Sequence, residues 1–447
     1  MEHKAPILSS NSFSVTNRQV LAIAIPMMLA SITTPLVRLV EATVVGQFGD
    51  AALFGGFLAG AAVLDVIIVS FNFLRTGTSG LVARCFGRGD ALEERAVFLR
   101  ALLVAALSGV ALVLIAPLIA AICEWFMNAE ATLTAAMDIY IRIRLISAPV
   151  ALINHAIIGY FVGRGEAGVA LFRQLLLNGV NIALSTFLGA CLGWGIAGVA
   201  WGTTCAEVVT MIASMAVLLR RFRAMPRISL QHAFDGAAVR WMFHLNRDIM
   251  IRTSVLMAAY IIFTRQSAQL GTLIVAANAV LMNFVLFAEY VIGSFAIAAE
   301  QLVGRAIGAG DKTAVFRAVR LTAAWGFAVA GLTSLLVFTL GEHLVGAITK
   351  APDVRAEAIL YLPWAIFIAL SGVLAIQMNG VFVGATWSRD MRNVMLISFA
   401  AYITALFAFQ KMFGNHGLWA AYHIFLLVRG ISLLSVMCRR VRTDFPE

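Results

Sequence analysis

The chain has 447 residues, of which 61% are hydrophobic and 13% charged, with a formal net charge of +10 and a mean hydropathy of +0.91. The charged share is about half the ~25% of soluble domains, which excludes a soluble globular protein and a disordered chain. Five scattered cysteines with no CxxC suggest neither a disulfide framework nor a metal site.

Residues 1–17 are polar and short. No cleavable signal peptide is expected, so the first span should stay in the mature protein. Twelve apolar segments follow, near 18–45, 52–83, 96–122, 138–163, 167–192, 195–219, 244–268, 272–305, 317–340, 355–384, 391–412 and 417–438. Each is long enough for a bilayer, which takes roughly 20 apolar residues. None alternates polar and apolar residues as a barrel strand would. The longest polar stretch, 220–243, falls near the midpoint. The expected division is therefore 1–222 as one six-helix lobe, 223–243 as a cytoplasmic linker and 244–447 as a second lobe. The fold class that follows is an all-α membrane protein: twelve transmembrane helices in two pseudo-symmetric six-helix lobes around a central cavity.

Basic residues cluster in alternate loops. Examples are Arg84/Arg88/Arg95, Arg220/Arg221/Arg223/Arg227 and Arg439/Arg440/Arg442, whereas the intervening loops carry few. This is the positive-inside pattern, with both termini cytoplasmic. It also explains the net charge without nucleic acid.

The halves resemble each other. Leu81-Val82-Ala83-Arg84-Cys85-Phe86-Gly87-Arg88-Gly89-Asp90 aligns with Leu302-Val303-Gly304-Arg305-Ala306-Ile307-Gly308-Ala309-Gly310-Asp311, six of ten positions matching at an offset of 221. The same offset pairs Gly159-Tyr160-Phe161-Val162-Gly163 with Gly380-Val381-Phe382-Val383-Gly384, and Tyr140 with Tyr361. Six spans separate the copies, so the repeat is parallel, an architecture that transporters use for alternating access.

Charges inside spans are costly, about 2.5–3.5 kcal/mol each on insertion scales, so each buried carboxylate needs a reason. The candidates are Glu41, Asp65, Glu207, Asp248, Glu289 and Glu300. Glu41 is the strongest, in the outward half of the first span. Burial disfavours the charged form of a carboxyl, so such a group can take a proton from one side and release it on the other. Arg38 lies three residues earlier and can meet Glu41 on the helix face, which would make it a modulator. Asp65 has no partner legible in the sequence. Pro26 removes a backbone hydrogen bond inside the first span and is expected to kink it.

Several stretches carry a family resemblance: Pro35 to Gly46, Phe73 to Leu81, Asn246-Arg247-Asp248-Ile249-Met250-Ile251-Arg252, Ala277 to Met282, Ala298-Ala299-Glu300 and Arg389-Asp390-Met391-Arg392-Asn393. Over essentially its whole length the chain resembles the multidrug and toxic compound extrusion (MATE) family, in its DNA-damage-inducible F (DinF) branch. The resemblance implies a cation-coupled antiporter that exports small amphipathic organic compounds, often cationic; protons are expected in preference to Na+, because Na+ needs several converging oxygen ligands and the second half shows no carboxylate-rich cluster. It implies a bacterial-type inner membrane, a monomer, and neither cofactor nor metal. In that branch the position of Glu41 is usually Asp and is regarded as the proton-coupling carboxylate. Its family partners fall on Asn181, Ser185 and Thr203. Asn and Thr are retained, whereas Ser185 replaces an Asp and cannot titrate. In the eighth span, Gly293 stands where the family often has Asp, which leaves Glu289 as a candidate substrate contact. Met27, Met28, Met282 and Phe287 are candidate cavity-lining residues, because flexible thioethers and aromatics suit promiscuous surfaces.

Two alternatives stay open. A lipid-linked precursor flippase of the same superfamily would hold pyrophosphate with basic residues such as Arg38, Arg142 and Arg144. A non-transporting membrane sensor would bind ligand without flux. The GxGxxG spelling of Gly163 to Gly168 joins two apolar helices with no preceding strand, so the dinucleotide context is missing. No Walker or HExxH motif is present, and no enzyme activity is expected.

Overall fold

A computed structural model describes residues 14–127 and 130–445. The described residues are helical and joined by short turns. In chain order the helices are α1 (Asn17–Gly46), α2 (Ala51–Ser70), α3 (Phe73–Arg88), α4 (Ala91–Met127), α5 (Ala131–Ile146), α6 (Ala148–Gly163), α7 (Ala167–Ser185) and α8 (Gly195–Arg223). The short α9 (Leu230–Ala233) precedes α10 (Gly236–Gln269), α11 (Thr272–Gly308), α12 (Lys312–Ile348), α13 (Pro352–Gly384), α14 (Ser388–Phe413) and α15 (Asn415–Asp444). Side-chain caps set several starts. Thr16 and Gln19 form a capping box for α1, and Asp50, Asp235 and Asp311 cap α2, α10 and α12, each satisfying amide groups that a helix start leaves unpaired.

Among the described residues ten helical segments are long and apolar enough to cross a membrane, α2–α3 and α7 with its extension counting as one each. An eleventh is the pair α5–α6, bent by 53°. The twelfth expected span lies within α10, which is as long as the others but carries Arg247, Asp248, Arg252 and Arg265. It also reaches back to Gly236, so the non-helical part of the connection between the halves is shorter than the sequence suggests.

The 221-residue offset is repeated in the backbone. Gly89 (φ 72°) and Gly310 (φ 71°) end α3 and α11 in the left-handed region, where glycine carries no Cβ penalty. The following amides, Asp90 and Asp311, reach back to the Cys85 and Ala306 carbonyls at 3.1 and 3.0 Å. A Cβ on Gly87 would lie 2.1 Å from the Arg305 carbonyl oxygen, and one on Gly308 would lie 2.1 Å from that of Arg84. These contacts are exchanged between the halves. α3 and α11 therefore cross on a pseudo-twofold axis, with Ala83 against Gly304 and Ser79 hydrogen-bonded to Glu300. Small residues allow helices to approach this closely where the bilayer supplies little hydrophobic drive.

One apolar core joins both halves near the Arg-rich loops, from Leu81, Phe98 and Tyr160 across to Phe295, Leu302 and Phe382. At the opposite end each half keeps its own core, around Val45, Phe57 and Tyr140 in one and Phe263, Leu281 and Trp419 in the other. The bundle is thus closed at its basic end and divided at the other.

Candidate functional site

Two connected chambers lie inside the N-terminal half. The outer one, about 380 Å³, is lined by Arg38, Glu41, Asp65, Tyr140, Asn181 and Thr203 among others. The inner one, also about 380 Å³, lies toward the basic end and is lined by Met27, Ser31, Arg75, His155, Arg173 and others. Thr34, Ile68, Gln174, Leu177 and Glu207 line both, so the two form one continuous cavity. Each chamber alone falls in the ~300–1,000 Å³ range of small-ligand sites. Among the described residues, the C-terminal half contributes only Ile297 to the lining.

Glu41, 8% exposed, sits on α1 and faces α7 and α8. Thr203 Oγ1 donates to its Oε1 at 2.8 Å, and Asn181 Nδ2 donates to the same atom at 3.1 Å. Asn181 Nδ2 also reaches Thr203 Oγ1 at 3.2 Å. Ser185 Oγ donates to Asn181 Oδ1 at 3.0 Å. The four residues expected to couple protons are therefore one hydrogen-bonded chain, with Ser185 acting on Asn181 and not touching Glu41. Asn181 and Ser185 share a face of α7 at i,i+4 spacing. Glycines bring α8 onto that face: a Cβ on Gly202 would lie 2.5 Å from the Ser185 amide nitrogen, and one on Gly198 would lie 2.6 Å from the Leu188 carbonyl. Directly after Ser185 the helix widens into a π segment, Thr186–Cys191, a distortion that recurs at functional sites.

α1 runs unbroken through Pro26 and also through Pro35. Each proline lacks the amide that would reach four residues back, which leaves the Ala22 and Ser31 carbonyls without that partner. Ser31 lines the inner chamber, so the irregularity lies against the cavity.

The Arg38–Glu41 pairing suggested by spacing is not the pairing formed. Arg38 turns to α2 and meets Asp65, at 2.7 Å through Nη1 and 2.8 Å through Nη2. The reason is competition: Glu41 is already held by two neutral donors from α7 and α8, and Asp65 offers a bidentate partner. The other basic residues considered as head-group ligands are also engaged. Arg142 pairs with Asp138 at 2.7 Å on its own helix, and Arg144 pairs with Glu207 at 2.8 Å.

Of the candidate lining residues, Met27 lines the inner chamber and Met28 does not. Met282 packs against the apolar core of the C-terminal half, and Phe287 is 41% exposed. Glu289 accepts a hydrogen bond from Tyr260 at 2.9 Å. None of these three lines the cavity. The Asn246 to Arg252 and Arg389 to Asn393 stretches meet each other: Arg392 Nη1 donates to Asp248 at 2.7 Å. Arg252 turns away from Asp248 and donates to Asn379 at 2.8 Å.

Sequence reasoning missed Arg75 and Arg173 as cavity residues. Both lie within apolar segments, and that was the available signal.

The MatE family model matches residues 26–187 and again 249–409, once in each half. The chain belongs to the MatE family. DNA damage-inducible protein F of Escherichia coli (strain K12) is 31% identical to this MatE protein over 423 residues, covering 94% of this chain and 92% of that one. A probable multidrug resistance protein NorM of Rhizobium meliloti (strain 1021) is 24% identical over 432 residues, covering 92% and 91%. Among solved structures, the outward-facing conformation of a multidrug resistance MATE family transporter of the MOP superfamily superimposes with a TM-score of 0.87 at 18% identity, covering 96% of each chain.

Proposed function

We propose that this MatE protein is a secondary antiporter that exports small organic compounds by alternating access in exchange for protons. The observation that carries the reading is Glu41, a buried carboxyl that lines the cavity while held by Thr203 and Asn181. Charged, it accepts from both donors; neutral, it offers an O–H of its own. The change alters what ties α1 to α7 and α8, neighbouring helices that all line the cavity. A proton and a substrate that favour different states of those walls are exchanged across the membrane.

The positive-inside rule places the basic end and both termini in the cytoplasm, of a bacterial-type inner membrane. The cavity then opens outward. The parallel repeat, with lobes 1–222 and 244–447 joined at 223–243, supports rocking of the two lobes about their shared axis. Relatives named as multidrug resistance proteins support organic substrates.

In proteoliposomes under an imposed pH gradient, the protein should drive efflux of a fluorescent organic substrate. Glu41→Gln should abolish it and Glu41→Asp should retain it. Efflux that persists in Glu41→Gln would remove Glu41 from the mechanism.

A further inference from the structure

The inner chamber holds more positive charge than its partners neutralise. Arg173 is 5% exposed, makes no hydrogen bond among the described residues, and has its Nε fully buried. Arg75 spends its Nε on Asn72 Oδ1 at 3.1 Å, and its Nη1 is buried without a partner. Arg75, His155 and Arg173 all line this chamber, so the two guanidiniums share one cavity.

Two carboxylates lie nearby. Glu207 is in contact with Arg144 at 2.8 Å. Glu300 is held by a hydrogen bond from Ser79. Along the whole cavity Arg38, Arg75, Arg144 and Arg173 stand against Glu41, Asp65 and Glu207, and because Arg38 pairs with Asp65 and Arg144 with Glu207, Arg75 and Arg173 are left without an ion-pair partner among the described residues. Buried N–H groups of a charged residue are expensive to leave unpaired, and arginine inside a membrane span marks a pathway or ligand site.

We propose that Arg75 and Arg173 form an anion-binding floor in the cavity, and that the substrates it selects carry a carboxylate, phosphate or sulfonate on an apolar body. The guanidinium groups would pair with the anionic oxygens. Met27, Ile158 and Leu177 would cover the apolar part. This rests on the reading of the cavity as the transport site, and it shifts the expected substrate from organic cations to organic anions and zwitterions.

The test uses a matched pair of probes with one ring system and opposite charge, 2-naphthoate and 2-naphthylmethylammonium. Their binding to the full chain in neutral-lipid nanodiscs is measured by calorimetry. Naphthoate should bind the more tightly. Arg173→Gln and Arg75→Gln should each weaken it by about ten-fold or more, the scale of one charge-assisted hydrogen bond. Arg173→Lys, which keeps the charge, should recover part of the loss. Variants are compared only where they elute and melt as folded protein, and Arg173→Lys guards against misfolding of the Gln forms. Equal or tighter binding of the ammonium probe would overturn the proposal. So would naphthoate affinity that ignores both glutamine substitutions.

No gradient is needed, so the result separates from the antiporter reading. Arg-dependent naphthoate binding in a protein that transports nothing keeps the anion site and defeats the antiporter. Proton-driven cation flux unaffected by Arg173→Gln keeps the antiporter and defeats the anion site.

Discussion

At the scale of single residues, the site is a chain of neutral donors ending on one carboxyl. The sequence placed all four members, because the family resemblance supplied positions on three helices that spacing alone could not connect. It misplaced Arg38, because i,i+3 proximity cannot see a carboxylate on a neighbouring helix. That correction carries a prediction. The Arg38–Asp65 pair is exposed, with side chains 61% and 43% accessible, and exposed pairs contribute about 0–1 kcal/mol. Arg38→Ala should therefore lower thermal stability only slightly and leave the pH profile of transport in place; a displaced profile would mean that Arg38 acts on Glu41 after all. Ser185 is the other informative position. It is fully buried against Gly202, so Ser185→Asp should overpack the α7–α8 contact. The expected cost is about 1–3 kcal/mol, read as a lower melting temperature. An unchanged melt would show room for a second carboxylate at this position.

At the scale of helices, the twelve apolar segments coincide with helices because hydropathy and length set what a bilayer admits. What hydropathy does not register is where the backbone breaks its own ladder. The bend at Ser147, the interruption at Phe71–Asn72 and the π segment after Ser185 depend on local hydrogen bonds. The repeat motifs were legible as spelling, and their physical content is the α3–α11 crossing, where each half offers a glycine to the other's carbonyl. Gly87→Ala or Gly308→Ala should cost about 1–3 kcal/mol and loosen closure of the basic end. Thermal melting, with cysteine accessibility at Cys85 as a second readout, checks it. Gly179→Ala is the contrast. A Cβ there meets nothing within 4 Å, and replacing a mid-helix glycine should be neutral or stabilising by up to about 1 kcal/mol. Equal costs at both sites would contradict the role given to the crossing.

At the scale of the whole molecule, the two halves share a backbone plan and differ in what they enclose. Symmetry was readable from the offset; the asymmetry was not. The cavity belongs almost wholly to the N-terminal half, so Met282 and Phe287, chosen for their side-chain chemistry, and Glu289, chosen for its place near Gly293, lie away from it. The closed basic end and the divided opposite end fit one conformation of the proposed alternating pair, and the proton carried by Glu41 is the proposed reason for leaving it. The most direct test follows proton and substrate together, in liposomes carrying an internal pH indicator, as an imposed substrate gradient runs down. Protons should move opposite to substrate in the native protein, and neither flux should remain in Glu41→Gln. Substrate flux without proton movement, or coupled fluxes that survive Glu41→Gln, would contradict proton antiport through Glu41.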